Sequence, residues 1–259
     1  PPPIVVDCQS ITVELDATGN YVFDTPLTPV IDGEVLTSNG SFTDLGIYQG
    51  ITPSVDGILT SVTVTFTAVP TNPVFLSIWD GYGTFPVSGY TPITGIVANV
   101  PITIELIGTT DLVAGTQYSF LVDDMFLTTA VSLLKDVDNY PGGHGGRVYL
   151  DGTAPTGMDL KFNYSLLQRP EIDNGTSDDD GLASFGLDVT AFDCADVGSV
   201  IPVTLTATDN LGNVGTCVAN VTVEDNETPV AACVPYQAAA QVTQSYGAVP
   251  GTAIGPNPG

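Results

Sequence analysis

The segment Ile11-Thr12-Val13-Glu14-Leu15 alternates apolar and polar side chains residue by residue. Successive side chains of a β-strand point to opposite faces, so this alternation predicts a strand with one buried and one solvated face. The pattern recurs in other segments rich in Thr, Val and Ile, which pack well on a pleated surface. These segments are Val62–Phe66, Ile102–Leu106, Leu160–Tyr164 and Val203–Ala207. We therefore expect strands along most of the chain.

Glycine and proline punctuate the sequence evenly, with 28 Gly and 20 Pro among 259 residues. Such punctuation leaves no room for long helices, and turn signals spaced by about ten residues are typical of β-sandwiches and barrels. The one conceivable helical turn lies near residues 130–136. The sequence thus predicts an all-β protein.

The charge balance is strongly acidic: 4 Lys and Arg face 29 Asp and Glu, which gives a formal net charge of −25. Phosphate recognition needs a basic surface, so a nucleic-acid partner is excluded. Hydrophobic residues make up 43% of the chain and charged residues only 13%, which favours a folded protein over a disordered acidic tail. No apolar run approaches the roughly 20 residues of a membrane-spanning helix, so we expect no membrane insertion. The first residues do not form a signal peptide, which suggests a mature or excised piece.

Short motifs at both ends of the chain follow one another in a fixed order. The opening Asp7–Asn20 resembles the start of a hyalin-repeat-like module, an immunoglobulin-type sandwich of large secreted bacterial surface proteins. The run that continues this opening in the family occurs here only at Ile172–Asp178, about 150 residues later. Further similar motifs are Phe192-Asp193-Cys194, Ala207–Asn213, Thr216-Cys217 and Val221–Asn226. The resemblance implies one immunoglobulin-like sandwich that is split into residues 1–26 and 169–228.

The residues between the two parts, 27–168, are expected to form a second β-sandwich inserted into the first. Their pattern, which includes Ile78-Trp79-Asp80-Gly81, resembles jelly-roll-like accessory modules of secreted bacterial proteins. An insertion in a surface loop costs little free energy. The alternative, consecutive domains, would leave residues 3–26 as two strands that are marginal alone. Pro229–Cys233 echoes the opening of the chain, so residues 229–259 are interpreted as the start of a following module or an extended linker.

Four cysteines, Cys8, Cys194, Cys217 and Cys233, are too widely spaced for a zinc ribbon. In the family the first and last strands run in parallel side by side, so the resemblance implies a disulfide between Cys8 and Cys217. The family partner of Cys194 is replaced in Ser177-Asp178-Asp179-Asp180-Gly181, and Cys233 could pair beyond this chain. The alternative is that all four cysteines are reduced and buried.

Carboxylates and amides cluster at turns rather than along strands, and several like charges in one loop repel each other unless a cation lies between them. Hard oxygen ligands of this kind suit Ca²⁺, which takes 6–8 oxygens. The candidate ligands are Asp173, Asn174, Asp178, Asp179, Asp180, Asp209, Asn210, Asn213, Asp225, Asn226, Glu227, Asp136 and Asp138. The run Val223–Pro229 is also similar to the acidic linkers of cadherins, where calcium stiffens the joint between sandwiches. The alternative is that Asp and Asn serve only as turn residues and that the charge confers solubility.

Catalytic motifs are missing from the sequence. His144 is the single histidine, no Gly-x-Ser-x-Gly accompanies it, and neither HExxH nor a phosphate-binding loop occurs. We therefore expect no enzyme and assign no catalytic residue. Trp79, Tyr82 and Tyr90 could stack on sugar rings, although the apolar strand that Trp79 ends favours a place in the core.

These observations predict a non-enzymatic, calcium-stiffened segment of an extracellular or cell-surface bacterial protein, with the inserted domain displayed for contact with a surface or a glycan. The resemblance points to adhesins and filaments that gliding bacteria export through type IX secretion. Expected partners are neighbouring modules of the same or an identical chain, and surface glycans. The alternatives are a carbohydrate-binding module of a secreted hydrolase and a polymerising filament subunit that exchanges strands.

Overall fold

β-Strands are the only regular secondary structure in the part of the chain that the computed structural model describes, namely residues 3–81, 86–137, 140–141, 145–147 and 158–226. The all-β prediction is confirmed. Within these ranges no helix is long and apolar enough to cross a membrane. The described strands are β1 Ile11–Glu14, β2 Asn20–Val22, β3 Val30–Val35, β4 Gly40–Asp44, β5 Gly46–Ile51, β6 Gly57–Thr65, β7 Val74–Asp80, β8 Thr91–Ile93, β9 Pro101–Glu105, β10 Asp111–Leu112, β11 Tyr118–Asp123, β12 Val131–Val137, β13 Gly145–Arg147, β14 Met158–Leu160, β15 Phe162–Leu167, β16 Leu182–Leu187, β17 Ala191–Asp193, β18 Val200–Asp209 and β19 Val214–Glu224.

A four-stranded sheet in the order β1-β19-β18-β16 combines the two ends of the described chain. β1 pairs with β19 in parallel, so that Ile11 lies opposite Val221, and the other pairs are antiparallel. The inward-facing residues of these strands pack with Phe23 and Phe192, which belong to β2, β17 and their flanks. Their rings make an edge contact with centroids 5.9 Å apart. Residues 3–26 and 169–226, called here the terminal segments, therefore share one hydrophobic core.

Residues 27–168, called here the middle segment, build a second core between two larger sheets. One sheet has the order β10-β6-β15-β3, with β9 also paired to β6, and the other has the order β13-β5-β11-β7-β8. Phe120 and Phe162 meet between these sheets with ring centroids 5.5 Å apart. This pairing of sheets is the arrangement of a β-sandwich. The finer expectation, a jelly roll inserted into an immunoglobulin-like module, stays a prediction.

A third sheet, in the order β14-β12-β4, continues two strands of the larger sheets. Only Leu45 separates β4 from β5, and only Lys161 separates β14 from β15. The chain around residues 130–136, where a helical turn was conceivable, forms strand β12 instead, in agreement with the all-β prediction. β12 pairs with β4 on one side and β14 on the other, and these pairings outweigh the local apolar pattern.

The two cores meet at Ile58 of β6 and Leu167 of β15. Both side chains come from the middle segment, yet they pack with the residues of the terminal core. The predicted boundaries at 26/27 and 168/169 stay predictions, and the segment 229–259 lies outside the described residues.

The predicted disulfide between Cys8 and Cys217 is confirmed, with Cα atoms 6.0 Å apart and a sequence separation of 209. Cys217 lies in β19, and Cys8 precedes β1, which is the parallel neighbour of β19. Cys194 is a free, exposed thiol among the described residues. Cys233 lies outside them.

Candidate cation site

Three consecutive aspartates, Asp178, Asp179 and Asp180, place one carboxylate oxygen each within 4.8 Å of the others. The N–H of Asp180 donates to Oδ1 of Asp178 at 2.8 Å, which folds the loop back on itself. Gly181 ends the loop with a φ of 84°, and a Cβ at this position would lie 2.5 Å from the carbonyl oxygen of Leu106. Only glycine allows both the backbone angle and the close approach.

The three carboxylates of this cluster repel one another, and the carboxylate of Asp178 is also buried. Asp178 is only 8% exposed, and burial raises the pKa of its carboxyl above the ordinary value. The charges of Asp209, Asp179 and Asp180 raise this pKa further, while the N–H of Asp180 lowers it. Oδ2 of Asp180 is buried and has no hydrogen-bond partner among the described residues. A buried oxygen without a partner costs free energy, which a bound cation would recover.

The acidic loop contacts the middle segment directly. The N–H of Gly108 donates to the carbonyl oxygen of Asp179 at 2.8 Å, and the N–H of Asp178 donates to Oγ1 of Thr109 at 3.1 Å. Nδ2 of Asn210 donates to the carbonyl oxygens of Asp180 and Leu106, at 3.0 and 3.3 Å. The three aspartates therefore lie where the terminal segments touch the chain that follows β9.

Asp209 and Asn213 form the turn between β18 and β19. Oδ1 of Asp209 accepts from the N–H groups of Leu211 and Asn213, at 2.9 and 2.8 Å, and its Oδ2 accepts from Nδ2 of Asn213 at 2.7 Å. Burial alone would raise the pKa of Asp209, but these hydrogen bonds hold it below the ordinary value. The turn interpretation therefore accounts for both residues, and Asp209 contributes to the cluster mainly through its charge.

Asp173 and Asn174 make a separate set of contacts. Oδ2 of Asp173 accepts from Nη1 of Arg169, and its Oδ1 accepts from the N–H of Thr176 at 3.2 Å. Nδ2 of Asn174 donates to Oδ2 of Asp7 at 2.9 Å. Arg169 therefore already compensates the charge of Asp173, and the assignment of Asp173 and Asn174 as cation ligands stays a prediction.

The remaining predicted ligands that the structure describes are not brought to the acidic loop. Asp225 and Asn226 are exposed beyond the end of β19, where Nδ2 of Asn226 donates to Glu224 at 3.1 Å. Asp136 is buried in β12 and accepts a hydrogen bond from the hydroxyl of Thr37. Glu227 and Asp138 lie outside the described residues.

The predicted sugar-stacking residues are only partly accessible where they are described. Trp79 is partly buried, and its Nε1 donates to Oγ of Ser77 at 2.8 Å. Tyr90 is also partly buried. Tyr82 and the single histidine, His144, lie outside the described residues.

Sequence reasoning missed a second contact between the segments, which is centred on Arg169. Its Nε and Nη2 donate to the two carboxylate oxygens of Asp111 in β10, at 2.8 and 3.1 Å. Its Nη1 donates to Asp173 and to the carbonyl oxygen of Thr176. The scarcity of basic residues was the only available signal, because nothing in the sequence relates Arg169 to Asp111.

Comparison of the chain with protein-family models, with curated proteins and with solved structures gives no match.

Proposed function

We propose that this chain is a non-enzymatic structural segment of an extracellular bacterial surface protein, and that Ca²⁺ held by Asp178, Asp179 and Asp180 stiffens the connection between its terminal and middle segments. The middle segment would be displayed for contact with a surface or a glycan. Adhesion, filament assembly and export of the type IX kind belong to the same proposal, and they rest on the motif resemblance.

The observation that carries the proposal is the buried, unpartnered Oδ2 of Asp180 beside the buried carboxylate of Asp178. Carboxylates are hard oxygen ligands, and Ca²⁺ binds them in flexible geometry. A cation there would offset the burial, and the repulsion by neighbouring carboxylates, that raise the pKa of Asp178. It would also fix the loop that hydrogen-bonds to Gly108 and Thr109.

The disulfide supports the extracellular part of the proposal. Disulfides form and persist in oxidising compartments and are rare in a reducing cytosol. The bond between Cys8 and Cys217 joins the two terminal segments across 209 residues of sequence. A covalent tie of this kind suits a segment that has to resist unfolding outside the cell.

Thermal unfolding with calcium and with a chelator tests the cation. A ligand present at 100 times its Kd stabilises the folded state by about 2.7 kcal/mol. For a chain of this size, that corresponds to a rise in Tm of about 5–10 °C. We expect this rise for the natural chain and its loss in the double variant Asp178→Asn, Asp180→Asn.

Asp193→Asn is the matched control, because Oδ1 of Asp193 also accepts from the N–H two residues later, that of Ala195, at 2.7 Å. This variant should keep the full calcium response. A Tm that calcium and chelator leave unchanged, or a double variant that responds like the control, would refute the site.

A further inference from the structure

The disulfide between Cys8 and Cys217 closes a covalent loop, called here the covalent ring, that contains almost the whole fold. The two positions are 209 apart in sequence, yet their Cα atoms lie 6.0 Å apart. The covalent ring includes β1 to β18 and the first residues of β19, and hence the whole middle segment and the acidic loop. Of the described residues, only 3–7 and 218–226 lie outside it.

This covalent connection defines the route of a force along the chain. A force that enters before Cys8 and leaves after Cys217 passes from one position to the other through the S–S bond. The residues between them are connected in parallel with that bond. Because this parallel branch is far longer than the 6.0 Å between the two Cα atoms, it bears no tension while the bond is intact.

The entry side of this route consists of the residues before Cys8. Val5 exchanges two backbone hydrogen bonds with Ser177, each 3.0 Å long, and the carbonyl oxygen of Asp7 accepts from the N–H of Asn174 at 3.0 Å. A strong pull on the first residues breaks these bonds one after another, because no covalent link protects them. The separation stops at Cys8, where the disulfide passes the force to β19.

The exit side of the route is a strand that is already extended. Cys217 lies within β19, which continues to Glu224. A strand rises about 3.3 Å per residue, close to the limit of about 3.6 Å for a fully stretched chain. The rest of the fold is free to turn until β19 lies along the force. This stretch therefore gains almost no length under tension, and its pairing with β1 and β18 is preserved.

Without the disulfide, the same force would act on the pairing between β1 and β19. Four residue pairs, Ile11–Glu14 with Val221–Glu224, join these parallel strands. Val221 and Val223 are completely buried in the terminal core, so the loss of β19 would open that core. The residues between Cys8 and Cys217 would then extend to a length of about 700 Å.

We propose that the disulfide between Cys8 and Cys217 keeps tension out of the covalent ring, so that the middle segment and the acidic loop stay folded while the chain is pulled from both sides. This inference rests on the proposed structural role, and it extends that role from stiffness to resistance against a pull. The middle segment keeps its surface under tension, and the cation acts on contacts that the pull does not load.

Single-molecule stretching of the full chain with optical tweezers tests the proposal. Handles are attached through peptide tags at both termini, so that no cysteine is used for coupling. Without a reductant, we expect the natural chain to extend only by the residues outside the covalent ring. The double variant Cys8→Ser, Cys217→Ser should gain about 700 Å more contour length. Cys194→Ser is the matched control, because Cys194 is a free, exposed thiol, and this variant should extend like the natural chain.

Reduction of the natural chain provides the same comparison if the double variant does not fold. One thiolate of a dithiol reductant attacks a sulfur of the disulfide, which releases the other cysteine as a thiolate and leaves a mixed disulfide. The second thiol of the reductant then displaces the remaining cysteine, so the reductant becomes a cyclic disulfide and the protein gains two electrons and two protons. Repeated stretching of one molecule should show the additional length of about 700 Å only after the reductant is added.

A natural chain that gains the additional length before reduction would overturn the proposal, and so would a reduced chain that never gains it at any force that the handles sustain. The length limit should be the same with calcium and with a chelator, because the disulfide is closed in both. Failure of the cation site in thermal unfolding would therefore leave this result unchanged, whereas additional length without reduction would refute only the shielding by the disulfide.

Discussion

Arg169→Met removes the guanidinium that joins the middle segment to the terminal segments and keeps most of the apolar stem. The two carboxylates that Arg169 binds differ in burial. The side chain of Asp173 is completely inaccessible, whereas that of Asp111 is 57% exposed. An exposed ion pair contributes about 0–1 kcal/mol, so the loss of Asp111 as a partner is a small part of the effect.

The larger part of the destabilisation comes from the carboxylate of Asp173, which stays buried without its charged partner. Removal of one partner of a buried ion pair costs about 3–5 kcal/mol. Asp173 keeps the N–H groups of Thr176 and Gly175 as donors, at 3.2 and 3.4 Å, which offsets some of this cost. We therefore expect Arg169→Met to lower the free energy of unfolding by about 2–4 kcal/mol.

Urea unfolding separates the contribution of Asp111 from that of Asp173. The four variants are Asp111→Asn, Asp173→Asn, Arg169→Met and the double variant Arg169→Met, Asp173→Asn. Asp111→Asn should cost less than about 1 kcal/mol. Arg169→Met should cost several times more in the natural background, and much less in the Asp173→Asn background, where no buried charge is left behind. If Arg169→Met proves as mild as Asp111→Asn, the argument that Asp173 depends on Arg169 fails.

Two further predictions concern the disulfide and the pH dependence. Replacement of both Cys8 and Cys217 by Ala should lower the free energy of unfolding by about 5 kcal/mol, as the chain-entropy relation gives for a loop of 209 residues, whereas Cys194→Ser should be nearly neutral in the same urea titration. Because the pKa of Asp178 is raised in the folded state, its contribution to stability is present below its ordinary pKa and is lost as the pH rises through the raised pKa. Asp178→Asn should therefore stabilise the calcium-free chain at neutral pH but not in acid, and an equal effect at both pH values in calcium-free melts would contradict this.

The sequence predicts those features of the fold that have a local signal. Ile11–Leu15 and Val203–Ala207 alternate with period two because one face of each strand is buried, and both lie where β1 and β18 form. β12 was harder to predict because its partners, β4 and β14, are distant in the chain, and an apolar run of this length suits a helical turn as well as a strand. The disulfide was implied by a resemblance, and the parallel pairing of β1 with β19 makes it possible.

The candidate site shows the same limit. Three consecutive aspartates are visible in the sequence, but the burial of Asp178 and of Oδ2 of Asp180 depends on a loop of the middle segment about 70 residues earlier. Asp209 and Asn213 have the residue types of calcium ligands, yet they hydrogen-bond to each other and to their own turn. Arg169 could not be related to Asp111 because the two residues are 58 positions apart. Sequence identifies charged groups, while tertiary contacts decide which of them lack compensation.

Arg169 and the acidic loop contact neighbouring residues of the middle segment, where β9 is joined to β10. Leu167 ends β15 within the terminal core, and Arg169 follows two residues later, so the chain connection is itself held by an ion pair. Asp178 and Asp179 contact the middle segment separately, through Thr109 and Gly108. Both contacts therefore restrain the same stretch of the middle segment, residues 108–111. In the proposed function the cation therefore fixes this stretch against the terminal segments, in addition to Arg169 and the buried Ile58 and Leu167.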